Sequence, residues 1–202
     1  MDTKVLKSIN HTYSYEDYKK LVINFAEESN TSGEQSEERI AATSINAQRI
    51  KRIDKQCIIN NDLQELISKI TAKQHWLIIT ESWCGDGAQC IPVIAKIAAL
   101  NSNIKLELVF RDEHLDLIDC FLTNGSRSIP KLICKDESTD KINFVWGPRP
   151  KTIQDKVLEL KKDNPKIAHD ELVKNIHLWY AQDKTQSIQS EFTDLLNKIN
   201  LE

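Results

Sequence analysis

The reactive chemistry of this sequence concentrates in one stretch, Trp83-Cys84-Gly85-Asp86-Gly87, set between the apolar run Trp76-Leu77-Ile78-Ile79 and a helix-forming segment from Ala88 to Leu100. A cysteine at that junction stands at a helix N-terminus. Unpaired backbone N–H groups and the positive end of the helix dipole there favour a thiolate over a thiol. The implied chemistry is nucleophilic: attack on a disulfide, or capture of a small thiol as a mixed disulfide. Asp86 acts in the opposite sense, because a carboxylate two residues away raises a thiol pKa. From the sequence alone the sign of the sum is open. A reactive Cys84 requires the helix end to prevail over a solvent-screened carboxylate and to bring the thiol below its free value of about 8.5.

The elements that must position this cysteine follow from hydrophobic spacing. Tyr18, Leu21, Val22 and Phe25 recur at helical intervals between Ser14 and Glu28, with Ser14 and Asp17 in capping-box positions. After the break Ser29-Asn30-Thr31-Ser32-Gly33, a second helix carries Ile40, Ala47, Ile50 and Ile53 on one side, with Arg49, Lys51 and Arg52 read as a solvated face. A third short helix through Leu63, Leu66, Ile67 and Ile70 is expected, capped by Asn61 or Asp62. Trp76 to Thr80 then reads as a strand buried on both faces. It is followed by the Ala88–Leu100 helix, a strand over Leu106–Phe110, and a helix from Leu115 to Leu122 ending near Asn124-Gly125. That order predicts a parallel strand pair with a right-handed crossover. Ile129–Cys134 and Ile142–Trp146 read as a hairpin around Asp136-Glu137-Ser138-Thr139-Asp140. Helices from about Thr152 to Lys161, and one or two more between Ala168 and Ile199, close the chain.

Composition bounds the functional classes. The 202 residues are 40% hydrophobic and 28% charged with net charge −3, as expected of a folded protein in water and not of a nucleic-acid or membrane binder. No apolar run is long enough to cross a membrane, and Met1 to Leu6 lacks a signal-peptide pattern, so a cytoplasmic location is expected. Five cysteines, an odd number, argue for free thiols rather than a disulfide scaffold.

The strand, Trp-Cys-Gly and helix order resembles a thioredoxin, and three further positions agree. Pro92 lies eight residues after Cys84, matching the family's helix-kinking proline. Ile129-Pro130 matches its Ile-(cis)Pro, and Gly147 matches the glycine closing its hairpin. The longer pattern, Trp83-Cys84-Gly85-Asp86 with Trp146-Gly147-Pro148-Arg149-Pro150, is similar to a bacterial thioredoxin-like group. The resemblance implies an α/β thioredoxin-like fold, a mixed sheet of about four strands with flanking helices. Residues 73–163 form the core, 1–72 a helical N-terminal extension and 164–202 the C-terminal helices. It also implies a substrate groove of Trp83, Asp86, Ile129, Pro130, Gly147 and Arg149 beside Cys84. Arg149 either lowers the thiol pKa or pairs with a carboxylate, Asp86 being one candidate.

Departures from the family narrow the chemistry. The position of a resolving cysteine holds Gly87, and the position of a buried proton-shuttling acid holds Ile78. Cys90 is the nearest substitute. Six residues along a helix is a rise of about 9 Å and a rotation of about 240°, against the Cα separation of about 7 Å that a disulfide tolerates. Cys90 also shares a face with Ile94 and Ile97, as a core cysteine would. Cys57, Cys120 and Cys134 read as core residues. The histidines show no ligand spacing, so no metal site and no cofactor are expected. The indoles of Trp83 and Trp146 either wall the groove or belong to the core. Two functions follow: a monothiol thiol–disulfide oxidoreductase with Cys84 as nucleophile and Cys90 or an external thiol resolving it, its partner a protein or a low-molecular-weight thiol or disulfide; or a peptide-binding module with no redox cycle. The oligomeric state is unspecified.

Overall fold

A computed structural model describes Leu6, Ile9 and residues 11–199. Most of the Met1–Leu6 segment read for a leader therefore lies outside the described residues. In chain order the elements are α1 (Tyr15–Glu27), α2 (Glu37–Gln56), α3 (Asn61–Ser68), β1 (Gln74–Thr80), α4 (Gly85–Ala98) and β2 (Ile104–Phe110). A single 3-10 turn (Arg111–Glu113) leads to α5 (Leu115–Asp119), β3 (Lys131–Asp136), β4 (Ile142–Trp146), α6 (Lys151–Asp163), α7 (His169–Asp183) and α8 (Gln186–Ile199).

β1 has no polar side to leave in water between Trp76 and Ile79, and it occupies the interior of a four-stranded sheet ordered β2-β1-β3-β4. It pairs parallel with β2, Trp76 opposite Leu106, and antiparallel with β3, Ile78 opposite Leu132. β4 forms the edge antiparallel to β3, with Leu132 opposite Trp146. This is the expected mixed α/β arrangement. Alternation along the strands separates two apolar layers. Trp76, Ile78, Leu108, Leu132, Cys134 and Phe144 face the layer shared with α1 to α4 and α8, while Leu77, Ile79, Val109 and Ile133 face the one shared with α5.

The N-terminal helices are fixed by caps and by one buried stripe each. The Ser14 hydroxyl accepts from the Asp17 N–H at 3.1 Å, and Ser36 caps α2 through the Arg39 N–H at 3.3 Å. The α3 cap is Asn60, not Asn61 or Asp62: its side-chain oxygen accepts from the Leu63 N–H at 2.9 Å. α5 stops at Asp119, short of the expected Leu122, because the N–H groups of Cys120 and Phe121 turn back three residues to Leu117 and Ile118. That early end leaves Cys120 exposed, against its reading as a core residue.

The last two helices serve different layers. α8 buries Ile188, Phe192 and Leu196 at successive four-residue intervals, and the Phe192 ring meets Trp76, Phe144 and Trp146 at centroid distances of 5.7, 6.3 and 5.7 Å. Trp146 is thus a core residue, its indole N–H donating to Glu191 at 2.7 Å, and it does not wall a groove. α6 and α7 instead pack on each other, with Ile153, Val157, Leu172, Ile176 and Trp179 forming a third apolar cluster. Among the described residues no helix is long and apolar enough to cross a membrane. Because Phe192 has no exposed surface, truncating it opens a cavity at the junction of α8 and the sheet. Phe192→Ala is expected to cost about 3–5 kcal/mol in denaturant-induced unfolding, and a loss below about 1 kcal/mol would show that α8 is not part of the core.

Candidate functional site

Cys84 is the N-cap of α4, and its Sγ accepts the Gly87 N–H at 3.3 Å. The same Sγ lies 3.4 Å from the Ile129 carbonyl oxygen, to which the thiol donates. The Ile129–Pro130 peptide is cis, as is Gly147–Pro148. Gly147 is held at φ +112, where a Cβ would lie 2.2 Å from the Pro130 carbonyl oxygen, so only glycine lets β4 leave the sheet this close to Pro130. That approach brings Arg149 to the N-terminus of α4.

Arg149 pairs with Asp86. Its Nη2 and Nε reach Asp86 Oδ2 at 2.6 and 3.0 Å, and Tyr180 from α7 donates its hydroxyl to Asp86 Oδ1 at 2.8 Å. With its proton committed to Asp86, the Tyr180 oxygen is left as the acceptor for Cys90, whose Sγ lies 3.6 Å away. Cys90 is therefore held as a thiol, and burial, then the Asp86 charge, push it well above its ordinary pKa. It lines a different cavity, of about 250 Å³, together with Cys57.

The same balance decides Cys84. Burial and then the Asp86 carboxylate push the Cys84 thiol up to about 12, against the opposing pull of the Gly87 N–H and of Arg149. The residue is only 6% exposed. The helix end therefore does not prevail, and Cys84 rests protonated at neutral pH. Asp86 is not the solvent-screened carboxylate expected, because burial also pushes its own carboxyl above the usual range, against Arg149 and Tyr180. Nor does position 87 have room for a second thiol: a Cβ on Gly87 would lie 2.8 Å from Thr80 Oγ1.

A cavity of about 590 Å³ opens beside Cys84. Of the expected groove residues Trp83, Asp86, Ile129 and Arg149 line it, whereas Pro130 and Gly147 meet behind it. The Trp83 ring is sandwiched between the guanidiniums of Arg39 and Arg111, at 4.7 and 5.0 Å from its centroid. α2 and α7 supply walls that the sequence did not point to. Arg49 faces the cavity instead of solvent, and His177 approaches from α7. Between them they bracket Gly85, where a Cβ would lie 2.8 Å from His177 Cε1 and 3.6 Å from Arg49 Nη1.

Glu81 was also missed. It is fully buried at the end of β1, accepts from the Asp112 N–H at 2.8 Å and from the Ser32 hydroxyl, and burial raises its pKa against those bonds. Ser32 and Ser82 exchange reciprocal N–H to hydroxyl bonds at 2.8 and 2.9 Å. This network ties the loop before α2 under the Cys84 turn. It is a clamp, since its bonds run away from Cys84. Among the described residues no group of three His, Cys, Asp or Glu could hold a metal.

His177 carries a pH signature. Burial, then Arg49, Arg149 and Arg52, push its imidazole down to about 4 from 6.5. Between those pH values the unfolded chain binds the extra proton, so stability present above about 6.5 is lost as pH falls through about 4. His177→Asn is expected to flatten the stability profile in that window, as read from urea midpoints at intervals of pH. An unchanged slope would place the imidazole in a different environment.

The thioredoxin family model matches residues 33–166, a segment that contains Cys84, Ile129, Pro130, Gly147 and Arg149 and stops before His177 and Tyr180. A crystal structure of a protein of unknown function from Pseudomonas aeruginosa superposes with TM-score 0.56 at 16% identity, covering 92% of this chain and 98% of that one. An HIV epitope scaffold superposes with TM-score 0.54 at 16% identity, covering 94% and 99%. Among curated proteins none matches. At that identity the two structures speak for the fold alone, and it is the family match across most of the chain that shows this protein to be a member of the thioredoxin family.

Proposed function

We propose that this thioredoxin-fold protein performs thiol–disulfide exchange through a single cysteine, Cys84. The observation that carries this reading is the placement of the Cys84 sulfur at the α4 N-cap, at the wall of a cavity of about 590 Å³ beside Ile129. In the forward step the Cys84 thiol loses its proton to solvent and its sulfur attacks one sulfur of a disulfide. A bond from Sγ to that sulfur forms, the original S–S bond breaks, and the leaving thiolate takes the electron pair and then a proton from water. A second, external thiol attacks the mixed disulfide, restoring Cys84 and carrying the oxidation away as a new disulfide. Gly87 and the separately housed Cys90 leave that second step to a thiol from solution.

The protonated resting state sets the rate. With its thiol pushed up to about 12, Cys84 is almost entirely protonated at pH 7, so exchange through it is slow and base-dependent. The same fact favours a second reading, a binding module that uses the cleft without redox turnover.

Intact mass after incubation with 2-hydroxyethyl disulfide separates the two. Because Cys120 is an exposed thiol that would react as well, the test is run in a Cys120→Ser background. That protein should gain one mixed disulfide, absent when Cys84→Ser is added and retained when Cys90→Ser is added, with a rate rising about tenfold per pH unit from 7 to 10. Asp86→Asn removes the carboxylate that raises the thiol and should speed Cys84 alkylation at pH 8 by about tenfold or more, while Arg149→Gln should slow it. No adduct at pH 10 in the Cys120→Ser background, with or without Asp86→Asn, would leave the binding module standing.

A further inference from the structure

The charges around the Cys84 cavity do not balance. Arg39, Arg49, Arg149 and Lys161 line it against Glu38 and Asp86. Arg149 is committed to Asp86 at 2.6 Å, and Arg39 is shared between Glu34 at 3.5 Å and Asp112 at 3.7 Å. Arg49 has no carboxylate within ion-pair range among the described residues; its guanidinium donates only to the neutral Asn46 Oδ1, at 2.8 Å. Asp86, directly paired with Arg149, attracts Arg49 only at longer range, while burial and Arg52 act against the Arg49 charge. A half-buried guanidinium so placed is stabilised when an anion completes the site.

His177 reports the same surplus independently. It meets guanidiniums from α2 and from the segment after β4, and those positive neighbours add to burial in keeping its imidazole neutral. Its Nδ1 has no hydrogen-bond partner. Arg49 and His177 face each other across Gly85, one residue from the thiol.

Size limits the occupant. Because the His177 ring and the Arg49 guanidinium both reach within a side chain's width of Gly85, they crowd the α4 N-terminus and favour a compact occupant over an extended polypeptide, and about 590 Å³ is ample for a small peptide-sized molecule. We infer that the Arg49–His177 side of the cleft is a carboxylate subsite, and that the exchange substrate of Cys84 is a low-molecular-weight thiol or disulfide bearing several carboxylates. The inference rests on the monothiol reading for the identity of the occupant and on the Arg49 environment for its charge.

Binding is tested on the full chain carrying Cys84→Ser, which removes the chemistry and keeps the cleft, with glutathione disulfide as the probe and its fully esterified form as the neutral control. Calorimetry should give saturable binding with Kd below about 1 mM, at least tenfold weaker for the ester. Arg49→Gln should weaken it at least tenfold, and Arg49→Lys should restore part of the loss. In the same protein the His177 imidazole resonances should titrate at a higher pH once the probe is bound, because a carboxylate offsets the surrounding guanidiniums. No saturation, equal binding of the ester, indifference to Arg49→Gln, or an unmoved His177 titration would each overturn the subsite. Failure of the exchange reading is seen separately, as Cys120→Ser protein, freed of its exposed thiol, that binds the probe in this way and forms no mixed disulfide with it. Failure of the subsite alone appears as the same protein reacting with neutral 2-hydroxyethyl disulfide as fast as with glutathione disulfide.

Discussion

The arrangement around Cys84 depends on one buried carboxylate. Asp86 joins the first turn of α4, the segment after β4 through Arg149, and α7 through Tyr180. α6 and α7 hold their own apolar cluster, so burial against the sheet does little to orient them, and the bonds to Asp86 fix where α7 crosses the thiol. Buried ion pairs are poor sources of net stability, since desolvation offsets most of the attraction, but they discriminate sharply against misplacement because a lone buried charge is so costly. Asp86 therefore reads as a positioning device. Its cost appears next door, where burial first, and then the charge that anchors α7, hold Cys84 and Cys90 in their protonated forms.

Local pattern carried a good part of this into the sequence. The uninterrupted apolar run ending at Thr80, the cysteine at the start of a helix, Ile129-Pro130 and the glycine at 147 each have a physical signature within a few residues, and each occupies its expected place. The Arg149–Asp86 pair was legible as one of two alternatives, because an antiparallel β4 must return its end to the α4 N-terminus. What escaped was set by tertiary burial. Glu81 finds its partner Ser32 49 residues away, and Arg49 reads as solvated on any helical wheel until α7 closes over it. The sign of the Cys84 shift stays open in the sequence for the same reason: it turns on whether Asp86 is wet or dry, and spacing does not report that. Cys120 failed on a boundary, since α5 ends sooner than its apolar residues suggest.

The loss of the second cysteine is built into the packing. The space a side chain at 87 would need is held by Thr80, beneath which Tyr18 is buried with its hydroxyl 3.5 Å from the Glu81 carbonyl. Tyr18 belongs to α1, outside the segment that matches the family. The N-terminal extension thus fills the ground under the motif, and substituting Gly87 by cysteine would require that layer to shift. A second cysteine at this position therefore calls for a rearrangement of the side chains beneath the motif.

A monothiol site differs from a dithiol one in where selectivity must reside. With two cysteines in the motif, the second step is intramolecular and the protein needs to recognise one substrate. In the proposed exchange, with Gly87 in that position and Cys90 facing another cavity, attack on a mixed disulfide at Cys84 would come from outside, through the opening that admitted the first molecule. Both reactants would then meet the same walls: Trp83 and Asp86 from the motif, with Arg49 from α2 and His177 from α7, elements flanking the Trp-Cys-Gly turn on either side. In the proposed exchange, the helices that the chain adds around the cysteine therefore share with the motif the task of discriminating one thiol from another.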